Sequence, residues 1–220
     1  MDGTALQQRT ARQRADASRN HDRIVAAARE AFVEHGAEAP LDEIAHRAGV
    51  GNATVYRHFA NRRELIRTVI LSVMSAIAEQ AEKALAEEPD AFEALRRFVH
   101  RAADERVGAL CPILSDWMNK DDPELRAVQE RLTRSVESMM DKARRSGQLR
   151  PDIAIGDLMV ALTQLTRPLP GTGCVDIDRF AHRHLELLLD GLRTPQRSVL
   201  PGCAATLENL RQSTKQCSAG

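Results

Sequence analysis

The sequence predicts an all-α chain in two helical parts. Three observations carry this. Aromatic residues are scarce, with one Trp, one Tyr and five Phe among 220 residues, whereas strands favour aromatic and β-branched side chains. No segment alternates apolar and polar residues over the length that a half-buried strand needs. Apolar residues recur instead at spacings of three and four, and Gly, Pro and Asp punctuate these runs where helices start and stop.

Residues 1–18 are polar, Arg-rich and without period, so a disordered basic arm is expected there. Across residues 1–29, Arg9, Arg12, Arg14, Arg19, Arg23 and Arg29 stand against Asp2, Asp16 and Asp22, a local excess in a chain of zero net charge. A first helix is predicted from about Asn20 to His35, burying Ile24, Ala27, Ala28, Ala31 and Phe32 and ending at Gly36. Leu41, Ile44, Ala45 and Ala48 then fall on one face of a second helix. Gly49 follows, where helices commonly end in the left-handed conformation that Gly adopts cheaply. Val50, Val55 and Phe59 pack a third, short helix against the second. Between them sit Asn52, Thr54, Tyr56, Arg57 and His58, all able to hydrogen-bond and none needed for a core. A helix, a glycine turn and a second helix with a polar outer face is the helix-turn-helix arrangement. In it the second helix enters the DNA major groove.

The run Gly51-Asn52-Ala53-Thr54-Val55-Tyr56-Arg57-His58-Phe59, followed by Asn61-Arg62-Arg63-Glu64-Leu65, resembles the signature of the TetR family of one-component transcriptional regulators. The specific likeness spans Ile24 to Leu65; the remainder resembles the family in length and helical character. Two departures stand out. Pro40-Leu41 occupies a place where the family usually has a phosphate-touching Thr, and Arg62 and Arg63 stand where Lys is usual. The resemblance implies a sequence-specific DNA-binding regulator, a homodimeric repressor released from a near-palindromic operator by a small-molecule ligand bound in the C-terminal domain. The alternative is a regulator that answers to a protein partner or to no ligand. Under this reading Thr54, Tyr56 and His58 meet phosphates, which fix register. Asn52 and Arg57 read bases, Arg pairing with guanine and Asn with adenine. Asn61, Arg62 and Arg63 complete the DNA-binding set. The plain alternative is that Tyr56 packs on the first helix and His58 is merely exposed.

Asn61 and Glu64 form a capping-box-like start to a long fourth helix reaching about Leu85, with Leu65, Val69, Val73 and Ile77 on one face, a rigid rod between domains. Pro89-Asp90 opens a helix over 91–107 with Phe92, Leu95, Phe98 and Val99 inward. A short helix over 112–119 carries Ile113, Leu114, Trp117 and Met118. Asp122 as N-cap with Pro123 at the first helical position opens a helix over 123–146, its stripe Leu125, Val128, Leu132, Val136, Met139 and Met140, ended by Gly147. Asp152 starts a helix over 154–165, residues 167–175 form a loop, and Asp176 or Asp178 starts a helix over 177–192. Residues 195–220 are a tail with one short helix around Leu207 and Leu210. The expected domains are the arm at 1–18, a DNA-binding domain at 19–65, an effector-binding and dimerisation domain at 66–194, and the tail.

Phe98, Cys111, Leu114, Trp117, Met118, Met139, Met140 and Met159 each read singly as core. Together, and with the pocket that the resemblance implies, they are expected to form adaptable walls for a small apolar or cationic effector. The helices over 154–165 and 177–192 are apolar on more than one face, which calls for a second partner. The resemblance implies that they pair with their own copies, through Leu158, Leu162, Leu165, Leu185, Leu188 and Leu192.

Other function classes lack support. Cys111, Cys174, Cys203 and Cys217 are too far apart for a zinc motif or a disulfide framework. His182 and His184, two apart, point to different faces of a helix, so no metal or cofactor is expected. No catalytic motif is present, and an enzyme is not expected. No apolar signal stretch follows Met1, and clusters such as Val69–Met74 are too short to span a bilayer. The expectation is a soluble cytoplasmic protein with reduced thiols and no membrane contact.

Overall fold

The computed structural model describes residues 3–110, 117, 119, 121–167, 177–195 and 198–211, with the side chains of 3–13, 177–179, 209 and 211 outside the description. Among these residues there are nine helices and no strand. In chain order they are α1 (Gly3–His35), α2 (Leu41–Arg47), α3 (Asn52–His58), α4 (Arg62–Glu87), α5 (Ala91–Asp104), α6 (Pro123–Arg145), α7 (Ile155–Leu165), α8 (Ile177–Leu192) and α9 (Leu207–Arg211). The chain forms two compact units, Met1–Ser72 with Pro112–Met118, and Val73–Cys111 with Asn119–Gly220. Helix α4 begins in the first and ends in the second.

The first unit closes over a small apolar core of Ile24, Ala28, Ala31 and Phe32 from α1, Ile44 and Ala45 from α2, Val55 and Phe59 at α3, and Leu65 and Ile66 from α4. Gly36 and Gly49 both take positive φ, 77° and 62°, and end α1 and α2 in the conformation that their sequence positions demand. Residues 3–18, expected as part of an unstructured arm, continue α1, which extends back to Gly3. No Gly or Pro occurs between Thr4 and His35, and Gln, Arg and Ala are favourable in helices. The apolar stripe stops near Asn20, and the turns before it extend a helix nucleated where it packs. Asp16 and Arg19, one turn apart, pair along it, and residues 14–19 are exposed.

In the second unit the starts of α5 and α6 are as expected. The Asp90 carboxylate accepts from the N–H groups of Phe92 and Glu93 at 3.0 and 2.9 Å, and Asp122 does the same for Glu124 and Leu125, as N-caps do. The hydrogen bonds at Asp90, with Glu93 N–H the foremost and Gln148 next, hold its carboxyl below the usual aspartate range. Helix α5 ends at Asp104, three residues early, because Arg106 turns left-handed at φ 54° before one further turn at 107–110. Helix α7 is capped not by Asp152 but by Asp157, whose carboxylate accepts from Ala154 N–H at 2.8 Å. Asp152 is held instead by Arg150 at 2.6 Å, an arginine 4% exposed. Helix α5 packs on α6 and α8, and α7 packs on α6 and α8. The core includes Phe92, Leu95, Phe98, Val136, Met139, Met140, Leu158, Leu162, Leu185 and Leu189. The helix expected over 112–119, the loop over 167–175 and the cap at Asp176 lie outside the described residues, save Trp117 in a turn, Asn119 and Arg167, while Asp178 falls inside α8, which begins at Ile177.

The C-terminal segment is more than a tail. Ala205 N–H donates to both oxygens of Asp157, at 3.1 and 3.0 Å, and Arg150 donates to Ser198 O at 2.8 Å. Gly156 meets the backbone of this segment so closely that a Cβ there would clash with the Ala205 carbonyl. Residues 198–211 thus form a strap over the start of α7, with α9 packed on α7.

Candidate nucleic-acid interface

The turn between α2 and α3 is braced from α1: Arg23 Nη2 donates to Gly49 O at 3.0 Å, and Val50 N–H reaches Ala45 O at 3.0 Å. Across α1 and α2, Arg47 donates to Glu34 and Glu43, each at 2.5 Å, and the His35 ring lies 3.2 Å from Glu43. Bonding to Arg47 holds the Glu43 carboxyl below its usual range, and the bonds to Glu34 and then Glu43 raise Arg47. These contacts fix the angle at which α3 is presented.

Asn52, Tyr56 and Arg57 are exposed on α3, while Thr54 and His58 are half-buried. Tyr56 is 59% exposed and does not pack into the core. Arg57 Nη2 donates to Thr54 Oγ1 at 3.1 Å, one turn back. Asn52 Nδ2 donates to Asp42 Oδ1 on α2 at 2.8 Å. A carboxylate only accepts, so Asp42 fixes which end of the Asn52 amide faces α2 and leaves the amide oxygen turned away. The His21 ring, from α1, stacks on Phe59 with centroids 5.1 Å apart and lies edge-on to His58 at 6.2 Å. Asp42 and His21 escaped the sequence reading, and Arg23 was read only as part of the basic excess, not as the brace of the turn; only the Asp42–Asn52 pairing across a short turn had a signal, a carboxylate and an amide ten residues apart.

Of the three residues at the start of α4, Asn61 Oδ1 accepts from Glu64 N–H at 3.0 Å and Glu64 accepts from Ala60 N–H at 2.7 Å, the expected reciprocal cap displaced by one residue. Arg63 is exposed. Arg62, expected on DNA, is half-buried and spent internally: its Nη1 donates to Ala37 O and Ala39 O at 2.8 and 2.7 Å. It ties the α1–α2 loop to α4, a place for a guanidinium that spacing along the chain does not reveal.

The surfaces expected in the second unit are redistributed. Phe98, Met139 and Met140 are fully buried, Met159 is half-buried, and Cys111, Leu114 and Met118 lie outside the described residues. Trp117, half-buried, groups with the first unit. Among the described residues one groove of about 520 Å³ is lined by Glu130, Thr133, Arg134, Glu137, Thr206, Leu207 and Glu208, none of them expected. Of the six residues expected at a dimer contact, Leu158, Leu162, Leu185 and Leu192 are buried within the single chain, while Leu165 and Leu188 are half-buried. The face left open on α8 runs through Phe180 and Leu187, 47% and 61% exposed, with His184 and Gly191 between and beyond; on α7 it is Val160, 44% exposed. Most of these leucines hold the single chain together, and the exposed apolar side chains of α7 and α8 stand beside them. No helix among the described residues is long and apolar enough to cross a membrane.

A short helix with a polar exposed face, set on a second helix across a glycine turn and braced by a third, defines a helix-turn-helix DNA-binding regulator. Comparison with known proteins agrees. Residues 24–69 match the family model described as bacterial regulatory proteins, tetR family, and residues 88–194 match that of the transcriptional regulator SbtR-like C-terminal domain. The TetR transcriptional regulator SCO0520 from Streptomyces coelicolor is 31% identical, with TM-score 0.58 over 79% of this chain and 98% of that one. The TetR transcription regulatory protein from Mycobacterium vanbaalenii is 28% identical, with TM-score 0.59 over 83% and 99%. The HTH-type transcriptional regulator SrpR of Pseudomonas putida is 42% identical over 59 residues, 26% of this chain and 28% of that protein. The chain spans less than two thirds of the length of the curated relatives that it matches. This chain belongs to the TetR family of DNA-binding transcriptional regulators, which are transcription factors rather than enzymes.

Proposed function

We propose that the chain is a homodimeric repressor that reads a near-palindromic operator and leaves it when a small molecule binds the second unit. The observation that carries the DNA-reading part is the exposed face of α3, where Asn52 and Arg57 stand at the surface, each with one local hydrogen bond that orients it. Asn52 and Arg57 read base edges; Tyr56 and His58, with Thr54, contact phosphates; Arg63 and the N-terminal turns of α1 add charge. Dimerisation is supported by the open apolar face of α8 with Val160 of α7. Two copies so joined would address half-sites about 34–36 Å apart. The effector acts by preferring one spacing of the two recognition helices, and shifts it only by its difference in affinity for the two states.

Selection of bound fragments from the source genome tests this. The expected outcome is a near-palindromic site whose occupancy falls when compounds that raise the melting temperature of the second unit are added. A single asymmetric half-site bound by one chain would overturn the dimeric reading, and occupancy indifferent to every stabilising compound would overturn the effector reading.

A further inference from the structure

The amide of Asn52 is the ambiguous member of the set on α3. An amide has two ends of nearly equal size, an oxygen that accepts and an NH₂ that donates. The last torsion of an asparagine is broad and roughly two-fold, so a half-turn exchanges the ends at little cost. A free asparagine at the N-terminal end of a recognition helix, where base edges are met, could offer either chemistry to the same base. Arg57 has no such choice, because a guanidinium only donates.

Asp42 removes the choice at Asn52. It lies in the first turn of α2, and Asn52 opens α3; the turn between the helices sets these two starts side by side. Asn52 Nδ2 donates to Asp42 Oδ1 at 2.8 Å. After a half-turn the amide oxygen would stand there instead, against a carboxylate that has no proton to offer. Asn52 thus keeps its oxygen and its second N–H for what lies outside. The backbone that carries it is fixed as well. Gly51, the residue before α3, is extended at φ −76° and ψ 152°, and its carbonyl accepts from Thr54 N–H at 2.8 Å. Arg23 holds the Gly49 carbonyl from α1.

Resting on the reading of Asn52 as a base reader, we propose that Asp42 sets which base Asn52 accepts, as a positioning residue that acts through the amide. In the major groove adenine shows an N6 donor beside the N7 acceptor, and guanine shows acceptors at both O6 and N7. Cytosine shows a donor at N4 and thymine an acceptor at O4. An amide oxygen held outward with an N–H beside it matches adenine at both atoms and cytosine at one. It sets acceptor against acceptor at guanine O6 and thymine O4. Adenine therefore stands at the same place in each half-site, and guanine is disfavoured there by a carboxylate that fixes the amide, not by a steric clash. The carboxylate also adds negative charge to a surface that meets phosphates, which costs affinity for any duplex. An acidic side chain in the first turn of a helix helps that helix to start; such a role bears on stability and moves no base preference.

Competition gel shifts of the full chain on its selected operator, with each base placed in turn at every position of both half-sites, test this. Asn52→Ala should flatten the preference at one position. Asp42→Asn, whose new amide can donate as well as accept, should lower the preference for adenine over guanine at that position by at least about fivefold, the lower end of what a bidentate contact contributes. It should also tighten binding to random-sequence duplex. Asp42→Ala should do the same. Neither should alter preference elsewhere, and in a chain carrying Asn52→Ala the further change Asp42→Asn should move nothing at that position. A helix-start role alone would lower the melting temperature and leave base preference intact. Preference flattened by Asn52→Ala but kept within about twofold by both Asp42 substitutions overturns the proposal and leaves Asn52 a base reader. Preference indifferent to Asn52→Ala overturns that reading, and the proposal with it.

Discussion

Replacing Leu187 by Ala should weaken self-association without unfolding the chain, and replacing Leu185 should do the reverse. The change at Leu187 deletes three carbons, each worth about 0.8 kcal/mol when fully buried. Leu187 is 61% exposed in the single chain, so covering it in a dimer gains roughly that share, about 1.5 kcal/mol per copy. A two-fold contact repeats the loss on the partner, giving about 3 kcal/mol in all, or about a 100-fold rise in the dimer dissociation constant at 1.4 kcal/mol per tenfold. Leu185, two residues away, is 0% exposed. Its loss leaves a cavity in the monomer and should cost about 2–5 kcal/mol of folding stability. Sedimentation velocity over a dilution series reads the first effect and urea denaturation the second. A Leu187→Ala dissociation constant within about threefold of the unsubstituted chain would refute the placement of the contact on the open face of α8.

Other outcomes follow from the first unit and from the helix caps. Arg57→Ala should relax preference at one base pair of each half-site, by about 1–3 kcal/mol of discrimination, whereas Tyr56→Phe should weaken binding alike across sequences; competition gel shifts separate the two. Arg62→Ala should cost about 1.5–3 kcal/mol of stability, as hydrogen bonds from a charged group do, and should leave the salt dependence of DNA binding of the still-folded protein unchanged, whereas loss of a phosphate contact would make the slope shallower by about 0.9. Asp90→Ala should cost about 0.5–2 kcal/mol through the lost cap of α5. Because the Asp90 carboxyl is held below its usual range by the Glu93 N–H, its contribution is present above about pH 4 and fades as pH falls further. The stability gap between the two proteins should therefore narrow on acidification, as thermal melts at pH 6 and pH 3 would show.

What the sequence discloses here is local. Gly36 and Gly49 mark helix ends because only the left-handed conformation turns the chain there. Asp90 and Asp122 mark helix starts because a carboxylate two or three residues before free N–H groups has a partner whatever the rest of the chain does. The exposed polar face of α3 was visible for the same reason. Contacts between distant segments were not. Arg62 meets carbonyls 25 and 23 residues back, and His100 meets a histidine 82 residues on; nothing in local spacing foretells either. The leucines of α8 show the limit within one element. Periodicity revealed two apolar faces, but which one the chain covers for itself depends on where α5 and α7 pack. The N-terminal turns of α1 failed differently: an absent stripe was read as an absent helix, although a helix nucleated by its packed turns extends through favourable residues.

The strap over α7 makes its own removal costly. A glycine inside a helix is a weak point, destabilising by about 0.5–1 kcal/mol against alanine, and Gly156 is tolerated because the Ala205 carbonyl lies where a Cβ would be. Asp157 likewise serves two masters, capping α7 through Ala154 and gripping Ala205. A chain cut at residue 194, where the family's C-terminal domain model ends, would keep the glycine and lose the reason for it, and Arg150 would lose the Ser198 carbonyl that it now reaches. An appendage and its host helix have become mutually dependent, so neither can be altered by evolution or by a protein engineer without a compensating change in the other.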